Sequence, residues 1–208
     1  MPYVTSWPHK RALALVAACF ALAVAAQPAA AASTPTTCPD TVSSPVFAAL
    51  GDNADYTPVS GGTFEGDMLG WTLNGASVVA GSNEPWQVGG DTDSNSLHIA
   101  PGGSAVSPTF CVSSKTPTWR FFAHAAVLSP GPTLKVYVQI GNPSGHLIRV
   151  PAAFLKGDAY GSWAATPAMV LGKVLPPGFN VNVRFVFTAD SNGGAWWIDD
   201  VFVDPYAK

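Results

Sequence analysis

Two stretches decide the fold class: TLKVYVQI (residues 133–140) and NVNVRFVFT (residues 180–188). Alternate residues of both are apolar: Leu134, Val136, Val138 and Ile140 in the first, and Val181, Val183, Phe185 and Phe187 in the second. An apolar residue at every second position is typical of a strand with one face buried. Both stretches are therefore predicted to be strands that pack on a core.

Further strands are predicted before and after these two, separated by Gly, Pro, Asn and Asp. They are residues 76–81, 96–100, 104–112, 118–127 and 196–203. The stretch TWRFFAHAAV (118–127) alternates less cleanly, so both of its faces are expected to be covered. No long helical period is visible, and 19 prolines and 20 glycines would interrupt one. We predict an all-β chain, an antiparallel β-sandwich of jelly-roll type.

Residues 1–32 have the three parts of a secretory signal peptide. His9, Lys10 and Arg11 precede an apolar run over 12–26, and Ala30 and Ala32 form a small-residue cleavage site. That run is shorter than the roughly 20 residues that span a bilayer. The mature protein is thus expected to be secreted and free of the membrane. Residues 33–60, rich in Ser, Thr, Pro and Ala, are predicted to form an arm, in which 45–52 is either a short helix or irregular. Residues 61–208 are predicted to form the β-sandwich domain.

Removal of the signal leaves eight Lys and Arg against thirteen Asp and Glu, a formal charge of −5. An acidic protein of this kind is a poor partner for nucleic acid. Cys38 and Cys111 also remain, and an even number of cysteines in an exported chain predicts a disulfide between them.

No pattern of a known catalytic centre is visible. The sequence has no Gly-x-Ser-x-Gly, and His98, His124 and His146 are scattered. The stretch DTDSNS (91–96) begins like a calcium loop but lacks its later Gly and Glu. We interpret it as a polar turn between strands and leave open a calcium loop of another type.

The stretch AWWIDDVFVDPY (195–206) reads as a strand with two adjacent carboxylates in it. Because neighbouring side chains in a strand point to opposite faces, either Asp199 or Asp200 is expected to face the packed side. A buried carboxylate needs a cation or several hydrogen bonds. Backbone N–H groups, Arg120 or Arg184 are the alternatives to a metal ion.

Aromatic side chains in loops are the candidate ligand contacts. Trp86 and Trp163 lie in segments rich in turn residues, and Tyr160 is close to Trp163. Flat rings of this kind can stack on the apolar faces of sugars, although tryptophans in β-sandwiches also fill cores.

Two segments resemble carbohydrate-binding modules of the galactose-binding-like jelly-roll superfamily. They are GGTFEGDMLGWTLNG (61–75), with Phe-Glu followed by Gly-Trp, and WWIDDVFV (196–203), which is similar to the closing strand. Residues 61–206 also resemble exported proteins of high-GC Gram-positive bacteria. The superfamily resemblance implies a structural calcium ion held by Glu65 with Asp199 or Asp200. The Asn-Gly that commonly precedes Phe-Glu is replaced here by Gly61-Gly62-Thr63.

The sequence therefore predicts an exported, non-catalytic binding module that is directed at a polysaccharide or cell-wall glycan and has a structural calcium site. One alternative is a structural or adhesive protein of the cell envelope without a small ligand. Another is a polysaccharide hydrolase or lyase on the same scaffold, since fold alone does not decide function.

Overall fold

The structure is a computed structural model. It describes residues 38–113, 118–126, 131–141, 146–171 and 180–204, so the predicted signal peptide (1–32) lies outside the described residues. Within these ranges the chain forms eleven strands and two short 3-10 helices, at Ala48–Leu50 and Gly157–Ala159. The strands are β1 (Thr57–Pro58), β2 (Thr72–Ala80), β3 (Asn95–Val106), β4 (Phe110–Val112), β5 (Thr118–Ala125), β6 (Thr133–Gly141), β7 (Leu147–Lys156), β8 (Ala164–Ala165), β9 (Met169–Val170), β10 (Val181–Ala189) and β11 (Trp196–Asp204).

All strand pairs are antiparallel, and the path of neighbours runs β7-β6-β10-β3-β11-β5-β8. The long strand β3 joins two layers: residues 104–106 pair with β10, whereas residues 97–99 pair with β11. Strand β2 pairs with both parts of β3. We call the β7-β6-β10-β4 side layer one and the β11-β5-β8-β9-β1 side layer two. The predicted antiparallel β-sandwich of jelly-roll type is confirmed.

The β2–β3 hairpin bends where it passes from one layer to the other. The pairing register shifts between Asn74 and Ala76, on either side of Gly75, which has a φ of 60°. Opposite it, a Cβ on Gly103 would lie 2.5 Å from the Gly75 carbonyl oxygen. Only glycine allows the two backbones to approach this closely.

Aromatic contacts between the layers form the core. Trp119 of β5 is fully buried and stacks on Phe185 of β10, with 4.0 Å between the ring centroids. Phe121 of β5 meets Phe187 of β10 edge-on at 5.1 Å. The two strands that alternate most strictly in sequence, β6 and β10, supply the facing side with Leu134, Val136, Val138, Val183, Phe185 and Phe187.

The outer face of layer two is partly covered by residues 45–56. Phe47 and Tyr56 pack on Phe122 and Phe202 in a second apolar cluster, with 5.5 Å between the Phe47 and Phe122 ring centroids. Both faces of β5 are thus covered around Phe122, as its imperfect alternation predicts, whereas His124 on the same outer face stays partly exposed. The sequence allowed either a short helix or irregular structure over residues 45–52, and this segment contains the 3-10 helix Ala48–Leu50.

A disulfide joins Cys38 to Cys111, with the Cα atoms 5.4 Å apart, and confirms the predicted pairing. It fixes the start of the described chain to β4. Residues 38–60 also contribute β1, which pairs with β11, and the bridge between Ser44 and Tyr56. Their packing on the sandwich is therefore extensive, while the domain bounds at residues 33, 60 and 61 stay a prediction.

Strands β1, β7, β8 and β9 were not predicted, and several predicted strands have different limits, as in β2 (Thr72–Ala80), predicted as 76–81. Pro151 lies inside β7, and the β6–β7 register shifts between Val136 and Tyr137, so the sequence shows no continuous alternation there. Proline is tolerated because β7 is an edge strand. Residues 96–100 belong to the longer β3, and the predicted 104–112 strand is divided between β3 and β4. Among the described residues, no helix has the length and hydrophobicity needed to cross a membrane.

Candidate functional site

Three buried carboxylates converge on the outer face of layer two. Glu84 and Asp93 lie on the segment between β2 and β3, and Asp200 lies in β11. One oxygen from each lies within 4.8 Å of the others. Their exposed fractions are 0% for Glu84, 4% for Asp93 and 0% for Asp200. We call these three residues the acidic cluster.

A β-bulge in β11 creates the cluster. Asp200 has a φ of 51°, in the left-handed region, and the register with β5 shifts between Asp199 and Phe202. The core-facing residues on either side of the bulge are Ile198 and Val201, which are three positions apart instead of the usual two. The extra residue leaves both aspartates away from the core, which corrects the expectation that they face apart.

Both aspartates bind the backbone of one loop, residues 84–93. The Glu84 N–H donates to Asp199 Oδ2 at 3.3 Å, and the Gly89 N–H donates to Asp200 Oδ2 at 3.0 Å. Asp199 Oδ1 accepts a bond from the Asp200 N–H at 2.8 Å. Glu84 in turn accepts the N–H groups of Trp86 and Val88, at 2.5 Å each. The cluster is thus the point where the loop is attached to β11.

Three oxygens of the cluster are buried without a hydrogen-bond donor: Asp93 Oδ1, Asp93 Oδ2 and Asp200 Oδ1. Burial, reinforced by the charges of Asp200 and Asp93, raises the pKa of Asp199 to about 10. Burial likewise raises the pKa of Asp200 and of Asp93, and the charge of Glu84 adds to both shifts. These raised pKa values mean that the charged form of each carboxyl group is destabilised unless a cation neutralises it.

The geometry fits a single cation. Two oxygens on opposite sides of a calcium ion lie roughly 4.6–5.2 Å apart, which matches the spread of the three carboxylates. A Cβ on Gly89 would lie 2.8 Å from Asp200 Oδ1 and 2.9 Å from Asp93 Oδ2, so glycine keeps the space between these oxygens open. The atoms available as metal ligands are all hard carboxylate oxygens. Calcium prefers such ligands, whereas softer transition metals prefer nitrogen and sulfur.

Glu65 lies beside this cluster but outside it. Its carboxylate accepts the N–H groups of Ser94 and Asn95 at 2.8 and 2.5 Å, and the side-chain amide of Asn95 at 2.8 Å. Burial alone would raise the pKa of Glu65, but these hydrogen bonds hold it below its usual value. The charge of Glu65 adds to the raised pKa of Asp93. The structure therefore brings Asp199 and Asp200 together, whereas Glu65 contacts the start of β3.

The arginines considered as partners for the aspartates lie elsewhere. Arg120 forms an ion pair with Asp52 at 2.8 Å, and the Arg184 Nε donates to Thr109 Oγ1 at 3.2 Å. Backbone N–H groups bind both aspartates, as one alternative proposed, yet Asp200 Oδ1 has no such partner.

A row of four partly exposed rings crosses the same outer face. Trp197 of β11 lies opposite His98 of β3 and His124 of β5 in the strand register. Its ring centroid is 5.1 Å from that of His98 and 5.2 Å from that of His124, and His124 is 5.7 Å from Trp163, just before β8. All four side chains are partly exposed. We call His98, Trp197, His124 and Trp163 the aromatic row.

The three aromatic residues predicted as ligand contacts have different surroundings. Trp163 belongs to the aromatic row. Trp86 is 40% exposed and stacks on Phe122, with 5.2 Å between the centroids. Tyr160 is 8% exposed and packs in the core, 5.7 Å from Trp196. Only the first two are placed where a ligand could reach them.

Sequence reasoning missed Glu84 and Asp93 in the cluster, and Trp197, His98 and His124 in the row. Asp93 was visible in DTDSNS, and Glu84 is one of two glutamates in the sequence. No local pattern connects either to Asp200, more than 100 residues away. The row was hidden because its members come from separate strands and meet only through the register.

No protein-family model and no curated protein matches this chain. Similar solved structures include the family 22 carbohydrate-binding and catalytic modules of Clostridium thermocellum xylanase 10B with xylohexaose: 17% identity, TM-score 0.48, covering 69% of this chain and 27% of that one. The xylan-binding module of Paenibacillus barcinonensis Xyn10C has 12% identity and a TM-score of 0.45, covering 69% and 91%. The family 6 module of Zobellia galactanivorans LamC has 12% identity and a TM-score of 0.43, covering 72% and 98%.

This chain spans about a quarter of the length of the xylanase chain. The solved structures that resemble this chain include carbohydrate-binding modules, as expected, and the resemblance is one of fold. The resemblance to exported proteins of Gram-positive bacteria stays a prediction. The chain is a jelly-roll β-sandwich that combines a buried acidic cluster with a row of partly exposed rings on one face.

Proposed function

We propose that the protein is an exported, non-catalytic carbohydrate-binding module whose ligand lies along the aromatic row. The observation that carries the proposal is the continuity of His98, Trp197 and His124 across three neighbouring strands to Trp163, the residue before a fourth. Isolated exposed rings are common on protein surfaces, whereas a connected row of them is a feature of a binding face.

The chemistry of the row suits a sugar chain. Indole rings offer flat apolar area together with an N–H donor, and each imidazole can donate or accept a hydrogen bond. Three strand spacings separate the ends of the row, a length of about 14 Å. That length favours an oligosaccharide segment over a single sugar ring.

The row is the open part of an otherwise covered face. Along β11, Trp197 is followed by Asp199 and Asp200 beneath the 84–93 loop, and then by Phe202 beneath residues 45–56. Trp86, on that loop, lies against Phe122 of β5. A ligand on the row would therefore meet the loop at one side.

We further propose that calcium occupies the acidic cluster as a structural ion. Glu84, Asp93 and Asp200 are the ligands, with Asp199 binding the loop backbone next to them. Glu65, expected as a ligand, is assigned instead to holding the start of β3. The ion would neutralise the buried carboxylates and so fix the loop that carries Trp86.

Burial of the acids argues for this role over catalysis. Asp199 and Asp200 both have an exposed fraction of 0%, so neither meets a bound substrate at the surface. A glycosidase instead needs two carboxyl groups flanking the sugar bond. The acidic cluster supports a structural role, and the aromatic row supports binding.

The test is affinity electrophoresis of the secreted protein in gels that contain xylan, laminarin, cellulose derivatives or cell-wall polysaccharide. We expect retardation in at least one gel, lost in Trp197→Ala and weakened in Trp163→Ala. Ile148→Ala is the matched control, because Ile148 of β7 is an exposed apolar residue, 50% accessible, on the other layer and outside both proposed binding faces.

Four results would contradict the proposal. Unchanged migration of the folded wild type in every gel, with localisation to the cell wall, would favour the adhesive alternative. Release of reducing sugar would favour the hydrolase, and release of unsaturated product the lyase. Retardation that survives both tryptophan substitutions would place the ligand elsewhere.

A further inference from the structure

The outer face of layer one carries most of the described cations. Five Lys or Arg residues lie within the described ranges, and four of them are on β6, β7 and β10: Lys135, Arg149, Lys156 and Arg184. We call these four residues the cationic face. Their concentration stands out because the chain after the signal peptide has a formal charge of −5.

The strand register places these residues on one side of the layer. Gln139 of β6 lies between Arg149 of β7 and Arg184 of β10, its partners in the two ladders. Directly paired residues in antiparallel strands share a face, and two strand spacings put the arginine Cα atoms about 10 Å apart. Lys135 and Lys156 follow on the same face, because they pair with Thr188 and Thr133.

The arginines have capacity for a ligand. Arg149 and Arg184 are exposed, and Arg184 uses its Nε to bind Thr109 Oγ1, which leaves two guanidinium nitrogens for other partners. Within the described residues, one ion pair involves this face, Lys135 with Asp190 at 2.6 Å. The face therefore keeps an excess of positive charge.

Aromatic area lies among the charges. Tyr137 of β6 and Phe154 of β7 are on the same face, with 6.4 Å between their ring centroids, and Phe154 is 55% exposed. Tyr137 pairs with Val186 of β10, so an apolar strip separates the arginine pair from Lys135. Cations on both sides of an aromatic strip match a ligand that alternates apolar sugar faces with negative groups.

We propose that the cationic face binds an acidic polysaccharide that carries carboxylates, of the polyuronate class. The guanidinium fork of each arginine matches a carboxylate, and the Tyr137 and Phe154 rings contact the sugar between the charges. This face lies on the opposite layer from the aromatic row, so the inference does not depend on the proposed function there. A membrane surface is the competing partner that the experiment tests.

The experiment measures binding of the full secreted protein to polygalacturonate at increasing NaCl, with dextran and dextran sulfate as comparison polymers. Arg149→Gln with Arg184→Gln removes the two forks, and Arg149→Lys with Arg184→Lys keeps the charge. Val170→Ala is the control on layer two, because Val170 of β9 is 50% exposed and belongs to neither proposed binding face. Thermal melts show whether each variant is folded.

We expect polygalacturonate to bind at low salt, dextran not to bind, and affinity to fall as salt screens the charges. The double glutamine variant should lose about tenfold or more in affinity, and the double lysine variant less, because hydrogen bonds to charged groups are the stronger ones. Val170→Ala should bind polygalacturonate as the wild type does.

The proposal is overturned if folded wild type does not bind polygalacturonate at low salt, or if the double glutamine variant binds it equally well. Binding of dextran sulfate alone would overturn the carboxylate assignment. If the wild type does not bind polygalacturonate but binds vesicles containing anionic lipid, and the double glutamine variant does not bind these vesicles, the face is assigned to a membrane surface instead.

Discussion

Asp200→Asn should affect stability in opposite directions with and without calcium. In the cation-free protein, the substitution replaces a buried carboxyl group by an uncharged amide of the same shape. It therefore removes the free-energy cost that the folded protein bears either by burying a charge beside Asp93 and Glu84 or by keeping Asp200 protonated. We expect the cation-free variant to melt at the wild-type temperature or above it.

With calcium present, the wild type should become more stable against unfolding, and the variant should not. An ion that binds only the folded state at one hundred times its Kd adds about 2.7 kcal/mol to the free energy of unfolding. For a domain of this size, that gain raises Tm by about 5–11 °C. Asp200→Asn removes one of three charged ligands, so its melting temperature should hardly respond to calcium.

The assay is thermal unfolding by circular dichroism in calcium, in magnesium and in chelator. Asp91→Asn is the matched control, since Asp91 is an exposed acid on the same loop. Glu65→Gln separates the two ligand assignments: it should lower stability by weakening the bonds to Ser94 and Asn95, yet keep the calcium response. Equal wild-type melting temperatures in calcium and chelator would refute the reasoning, as would a destabilised cation-free Asp200→Asn.

Three further predictions concern the fold and its charge. Trp119→Ala should lower the free energy of unfolding by about 3–5 kcal/mol in denaturant titrations, because it empties the centre of the core, whereas exposed Leu69→Ala should change it by less than about 0.5 kcal/mol. Reduction of the Cys38–Cys111 disulfide should cost about 4 kcal/mol in the chain-entropy model, measured by the same titration with and without reductant. The cation-free protein should lose stability as pH rises from about 4 towards 10, because folded Asp199 keeps a proton that the unfolded chain, with a pKa of 3.8, releases. Stability that rises with pH across that range in chelator would contradict this charge assignment.

The fold class was predictable because β6 and β10 each have one solvent-facing side and one core-facing side. In such strands polar and apolar residues alternate along the sequence. Strand β7 was not predictable in the same way, since Pro151 and a bulge interrupt its pattern. The length of β3 was also hidden: its glycines signal a turn in sequence, but in the structure they let one strand pass between two layers.

The site was predictable in part. The adjacent aspartates marked β11 as unusual, but the bulge that turns both to the outer face depends on a left-handed Asp200, which sequence alternation does not reveal. Their partners Glu84 and Asp93 are brought near by the loop between β2 and β3. The aromatic row depends on strand register, which connects residues about 100 positions apart.

The most direct test of the central claim, that glycan binds along the aromatic row, is a glycan titration followed by NMR of the tryptophan indole N–H signals. Single Trp→Phe variants assign the signals. We predict that the signals of Trp163 and Trp197 shift with saturable dependence on glycan, while those of the buried Trp71 and Trp119 stay in place. A glycan that binds the protein and leaves Trp163 and Trp197 unmoved would contradict the claim.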